Sequence, residues 1–237
     1  MRRDDDSVFA PRPWGAEPWP PGWTAQGVID ALEPLVLGQR AQRIREVIDQ
    51  RIDSVTLLMD APYDPHNGAA IMRSADAFGL HRVHVIPHDD GFLISSNVAK
   101  GTERWLDLVH HESAGAAVEH LRSAGYTLVT THPRGDMIPE DLQRLPRVAL
   151  VLGNEHDGIR AALSQAARSS VRIEMRGFVE SLNVSVSAAI LLRAATRGRT
   201  GDLPSEARRR LYAQGLHRTV ARADDVLRAL PRPASSA

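Results

Sequence analysis

Three short stretches of the chain carry residue types that can do chemistry. The first runs Asp64-Pro65-His66-Asn67-Gly68-Ala69-Ala70-Ile71-Met72-Arg73-Ser74-Ala75-Asp76-Ala77-Phe78-Gly79. Ile71, Ala75 and Phe78 form the apolar face of a predicted helix, and Gly79 is its natural stop. Arg73 falls beside that face, between the small residues Ala70 and Ala77. A guanidinium so placed suits a reach over a cleft better than a free surface charge. Asn67 stands where it can either cap the helix or orient another polar group. The second stretch, Gly153-Asn154-Glu155-His156-Asp157-Gly158, follows the apolar run Val148-Ala149-Leu150-Val151-Leu152. Taken alone it is worth little, because glycine after a strand is commonly a turn. The third is Ser181-Leu182-Asn183-Val184-Ser185. Ser181 or Asn183 can cap the helix that follows, whose stripe is Val184, Ala188, Leu191 and Ala195. Val186, Ala189, Ile190 and Leu192 cover most of its remaining surface, which predicts burial on more than one side. A polar loop is thereby delivered to the mouth of a packed helix.

The elements that must position these stretches alternate. Predicted strands are Val55–Met59, Val83–Ile86, Trp105–Val109, Tyr126–Thr131, Val148–Leu152 and Val171–Ile173. Helical patterns lie between them, at Asn67–Phe78, Ala114–Ala124 and Ile159–Arg168. The stretch from His132 to Pro146 reads as polar and irregular. This rhythm predicts an α/β fold with a mostly parallel sheet, and such sheets bind ligands at the carboxyl ends of their strands. The expected domains are a Pro/Trp-rich extended arm over 1–35, a central α/β domain over 36–197 that includes a helix from about Gly38 to Arg51, and a helical extension over 198–237. In the extension, Leu216, Val220, Ala223, Leu227 and Leu230 make one helical stripe. Trp14, Trp19 and Trp23 in the arm suit docking on the body or on a partner chain, with stacking on single-stranded RNA as the alternative.

Composition bounds the partners. The 237 residues are 43% hydrophobic, enough for one sizeable core, and the 29 Lys and Arg balance the 29 Asp and Glu. A neutral total argues against bulk electrostatic attraction to nucleic acid, although it can hide a basic stripe. There is no cysteine, so disulfide and thiolate chemistry are excluded. No window reads as a membrane span or a signal peptide, and a cytoplasmic protein is the expectation. No metal site is expected.

Together, in this order, the three stretches resemble the signature motifs of the SpoU (TrmH) branch of the SPOUT RNA methyltransferases. The resemblance runs from about Arg40 into the C-terminal helices. It implies a C-terminal trefoil knot, an exception to the rule that chains do not knot. It implies S-adenosyl-L-methionine as cofactor, held by Thr131, Gly153, Ile173 and Leu182, with Glu155, Ser181 and Asn183 close by. It implies methyl transfer to a ribose 2′-hydroxyl of RNA. Arg73 becomes the catalytic residue and Asn67 its partner or that of the ribose. Free arginine, with a pKa above about 12, is a very poor base, so Arg73 acts either as a strongly perturbed base or by stabilising charge on the oxygen. Within the family, the short N-terminal helix and helical tail are most like the tRNA enzymes that modify a D-loop guanosine. Arg40 to Arg45 and Arg197 to Arg210 are then where RNA would be held. A homodimer is implied, with neither membrane nor DNA as partner. Ribosomal RNA as substrate, and a non-catalytic RNA-binding or assembly factor, are the competing readings.

Overall fold

The computed structural model describes residues 17–88, 105–154 and 156–231. Its sheet has six strands: β1 (Val55–Asp60), β2 (Arg82–Ile86), β3 (Asp107–His110), β4 (Thr127–Thr131), β5 (Val148–Leu152) and β6 (Ser169–Val171). Their order is β3-β2-β1-β5-β4-β6, and every neighbouring pair is parallel. The chain moves outward from β1 to β3, returns on the far side with β4, and then inserts β5 beside β1. The order reverses at that point, the place where open parallel sheets leave a crevice.

Strand periodicity divides the core between the two faces. Leu57 and Met59 of β1 face one way, with Val83, Val85, Leu150 and Leu152. They pack against α3 (Pro65–Ala77) through Ile71, Met72 and Ala75, and against α6 (Val184–Thr196) through Ala188, Leu191, Leu192 and Ala195. Leu58, Ile86, Leu128, Ala149 and Val151 face the other way, against α4 (Ala114–Ser123) and α5 (Ala161–Ala166). Each fully buried leucine here stabilises the fold by about 1.5–3 kcal/mol. A parallel sheet covered on both faces needs the continuous apolar runs that β1 and β5 have.

Contacts divide the chain into two units, residues 52–199 and a second built from the described residues before 52 and those from 200 onward. In the second unit, α1 (Ala25–Leu32) and α2 (Gly38–Asp49) pack on α7 (Ser205–Thr219), followed by α8 (Ala223–Ala229). The helix over Gly38–Asp49 thus sides with the C-terminal helices, not with the sheet domain in which its sequence position had placed it. The expected arm also differs. Thr24 Oγ1 accepts from Gly27 N at 3.1 Å and starts a helix. Trp19 and Trp23 are buried, and the Trp19 indole donates to the Trp23 carbonyl at 3.0 Å. Trp14 lies outside the described residues. The C-terminal stripe is broken as well: Val220 is extended and Arg222 is left-handed (φ 56°), so two helices replace one, with His217 and Asp224 2.8 Å apart across the junction.

Several boundaries shift for local reasons. The segment expected to be irregular contains a 3₁₀ helix, Pro139–Arg144, where Asp141 Oδ2 accepts from Ile138 N and Leu142 is fully buried. The last strand forms at Ser169–Val171, two residues early. The third-motif helix α6 buries one face, while Val186 and Ile190 stay exposed within this chain. No described helix is long and apolar enough to cross a membrane.

Candidate active site

All three motifs arrive at the carboxyl end of the sheet. The loop after β1 opens with Asp60, almost fully buried, whose Oδ2 accepts from Arg160 N at 2.8 Å while Arg160 Nε lies 3.3 Å from Oδ1. Burial pushes the Asp60 carboxyl above its ordinary value, against the pull of those Arg160 contacts. This carboxylate ties the end of β1 to the turn after β5. Sequence reading missed it, although an acidic residue closing an apolar strand is a signal of this kind.

Helix α3 starts earlier than expected. Asp64, not Asn67, is its cap, accepting from His66 N at 2.8 Å, with Pro65 in the first helical position. Asn67 is therefore released from capping, and its Oδ1 accepts from Asn183 Nδ2 at 3.0 Å. That bond joins the first motif to the third across 116 residues. Asn183 itself caps α6: its Oδ1 accepts from Ser185 N at 2.8 Å and from Ser185 Oγ at 2.6 Å. Of the two expected cap candidates, Asn183 performs the role and Ser181 stays in the exposed loop.

The second motif is a closed turn. Asn154 N donates to Gly158 O at 3.1 Å, and Gly158 N returns to Asn154 O at 3.2 Å. Asn154 Oδ1 also accepts from His156 N and Asp157 N, at 2.9 and 2.7 Å. Gly158 has φ +70°, and a Cβ at Gly153 would lie 2.4 Å from the Gly158 carbonyl carbon. The turn closes only because Gly153 has no side chain. Glu155 lies outside the described residues.

Between these loops is a cavity of about 980 Å³. Thr131, Gly153, Ile173, Ser181, Leu182 and Asn183 all line it. Every described residue expected to hold a cofactor is thus brought to one space. Leu152, Ile173 and Leu182 give it apolar walls, while main chain at the ends of β4 and β5 borders it, a combination suited to a flat heteroaromatic ring with polar edges. The sequence reading had not singled out His132 or Asp136, which also line it. The loop carrying them is stitched along β6: His132 N donates to Val171 O, and Met137 N to Ser170 O, each at 3.0 Å. Asp136 Oδ1 accepts from Ser170 N at 2.7 Å, and backbone donation holds its carboxyl below the usual range.

Arg73 is placed differently. Six residues beyond Asn67 is about 240° around a helix, so the two side chains leave α3 on different sides. Arg73 is exposed and does not line the cavity. Among the described residues, no group of three or more His, Asp or Glu side chains is arranged to hold a metal ion.

The sequence profile of the SpoU rRNA methylase family matches residues 54–193. The tRNA (guanosine(18)-2′-O)-methyltransferase of Escherichia coli is 30% identical over 193 residues, 77% of this chain and 84% of its own length. The crystal structure of the A. aeolicus TrmH/SpoU tRNA modifying enzyme superposes with a TM-score of 0.70, covering 78% of this chain and 98% of that one; at 23% identity it speaks for the fold. The SpoU methyltransferase AviRb of Streptomyces viridochromogenes, crystallised with AdoMet, is 33% identical with a TM-score of 0.56, over 64% of this chain and 63% of its own.

Proposed function

The chain belongs to the SpoU methylase family, and on that premise we propose that it transfers a methyl group from S-adenosyl-L-methionine to a ribose 2′-hydroxyl of RNA, a guanosine of the tRNA D-loop. The observation that carries the reading is the convergence of the second and third motifs on one cavity, with the first joined to the third by the Asn67–Asn183 hydrogen bond. The E. coli relative, named for guanosine 18 of tRNA, supports the substrate.

In this reading the main chain around Thr131, Gly153, Ile173 and Leu182 holds the cofactor, and Ser181 and Asn183 border it. Bound there, the cofactor supplies an electrophilic methyl group. The chain's own task is to present the hydroxyl and manage its proton, since a hydroxyl is a weak nucleophile until that proton is removed or shared. Asn67, fixed by Asn183, orients the ribose. Arg73 stabilises the negative charge growing on the 2′ oxygen as its proton passes to water. Its exposed position suits a site completed in a homodimer, where a second copy covers Val186 and Ile190. The loops stitched along β6 and leading into α6 are the segments that would form the trefoil knot. In the second unit, exposed Arg40 and Arg43 are the residues offered to the tRNA backbone.

The test is a map of ribose 2′-O-methylation across all tRNA and ribosomal RNA, with and without the gene, rescued by wild type or by Arg73→Ala. Loss at one tRNA D-loop guanosine, restored by wild type and not by Arg73→Ala, is the expected result. Loss at a ribosomal site would keep the chemistry and replace the substrate. No lost methyl at any site would overturn the enzyme reading in favour of an RNA-binding factor. Light scattering gives the mass of a dimer if the assembly is right.

A further inference from the structure

Beside the second-motif turn stands an aromatic cluster that neither the cofactor site nor the transfer chemistry uses. Tyr63 packs perpendicular to His156, with ring centroids 5.0 Å apart, and perpendicular to His88 at 6.1 Å. Perpendicular packing fixes the orientation of the phenol ring while leaving it open, and Tyr63 is 61% exposed. A single exposed ring is ordinary; what sets Tyr63 apart is that two imidazoles brace it.

The backbone beneath it is built to hold it still. Ala61 sits at φ 47°, in the left-handed region that non-glycine residues rarely adopt, and its N–H donates to Ile86 O at 2.8 Å. Pro62 and Pro65 then restrict the chain on either side of Tyr63. Buried Asp60, anchored to Arg160, ties this loop to the turn that carries His156. Tyr63 and His156 thus bridge the first and second motifs. Both flank the chemistry: Pro62 faces a small recess shared with Asn67 and Gly153, and His156 lies between Asn154 and Asp157, which line the large cavity.

We propose that Tyr63, braced by His156 and His88, stacks on the nucleobase of the nucleotide being methylated. The inference rests on the proposed function. A ribose presented at the cavity must leave its base outside the cofactor space, and single-stranded RNA bases are recognised by stacking on aromatic rings. Stacking tolerates any base, so Tyr63 holds the splayed nucleotide in place and leaves base identity to other contacts.

The test is a double-mutant cycle read by RNA binding, run once the methylated nucleotide has been mapped. Wild type, Tyr63→Ala and Tyr63→Phe are each titrated with a tRNA transcript bearing the target base and with one that is abasic at that position. Cofactor affinity, measured by calorimetry, reports the fold of each variant. Wild type is expected to bind the intact transcript roughly tenfold or more tighter than the abasic one. Tyr63→Ala binds both at the same weak level, and Tyr63→Phe stays within about twofold of wild type, since the ring and not the hydroxyl does the stacking. His156→Ala gives a smaller loss on the intact transcript, by loosening the ring. The proposal is overturned if Tyr63→Ala loses nothing, if it loses the same factor on both transcripts, or if Tyr63→Phe loses as much as alanine. Methyl transfer by wild type to the intact transcript is the control. Its absence overturns the methyltransferase reading, and the stack with it; its presence without coupling overturns the stack alone.

Discussion

Both ends of the sheet carry polar groups and use them in opposite ways. At the amino end, Asp53 is the hub. Its carbonyl accepts from the Tyr126 hydroxyl at 2.5 Å, and its carboxylate meets Arg147 at 2.8 Å and His81 at 3.5 Å. The Arg147 guanidinium lies 4.3 Å above the Tyr126 ring. Nearby, Arg199 donates to four carbonyls, those of Ala195, Leu142, Leu145 and Pro146, and to the Ser54 hydroxyl. Burial pushes Tyr126 up to about 12 and His81 down to about 4. Most of these donors and acceptors are spent on one another, although both His81 ring nitrogens and Arg147 Nε make no hydrogen bond among the described residues. At the carboxyl end the donors and acceptors shape loops around open space. Polar and perturbed groups therefore do not mark a site by themselves; polar groups around a cavity do. Arg199 illustrates the point, because its sequence neighbourhood reads as RNA-binding and its side chain is structural.

Substitutions at the two ends of the sheet separate effects on stability from effects on activity. The largest effect is expected from Gly153→Ala, whose methyl group would displace the Gly158 backbone. Cofactor affinity by calorimetry falls by about a hundredfold or more, and the opened turn costs about 1–3 kcal/mol of stability. At the opposite end, Arg199→Met removes a donor from the carbonyls of buried Leu142 and Ala195 and costs about 3 kcal/mol of stability, a drop of about 6–12 °C in calorimetry, with methyl transfer per folded molecule unchanged.

Acid should act through the structural groups. His81, and His111, which burial likewise lowers to about 4, bind protons more weakly in the folded chain than in the unfolded one. Stability is full above about pH 6.5 and is lost as pH falls toward 4, by about 1.4 kcal/mol per unit for each histidine. His84, pressed 2.9 Å from His111 and also pushed down by burial, steepens the slope. Denaturation curves between pH 4 and 8 check the sign; maximal stability at pH 5 would break the account.

Smaller effects dissect Asn183. Asn183→Ala removes a helix cap, at about 1 kcal/mol, and lowers activity as well. Asn183→Asp keeps the acceptor for Ser185 N and removes the donor to Asn67. It should keep the melting temperature within a few degrees and still lose activity, which isolates the clasp. Smallest is Tyr126→Phe, a loss of about 1 kcal/mol in denaturation with no effect on transfer.

The sequence by itself determined the α/β class, the alternation of elements, the strand β5 to the residue and the three motifs. Those are local or periodic signals: an apolar run, a glycine stop, a polar loop ahead of an apolar helix. It also indicated that Thr131, Gly153, Ile173, Ser181, Leu182 and Asn183 belong together, through the family resemblance. Only the tertiary structure decided what each polar residue is used for. Asn67 is free to meet Asn183 because Asp64, three residues earlier, has taken the cap. Arg73 leaves α3 on the exposed side because six residues is not a whole number of turns. The N-terminal segment and the C-terminal helices form one unit because their apolar faces complete one another, a pairing of residues nearly 200 positions apart that no local pattern encodes. Tyr63 becomes a rigid open ring only where the first-motif loop and the second-motif turn are brought side by side. Pattern reports which residues can be buried or cap a helix; the partners that decide their roles are contributed by distant parts of the chain.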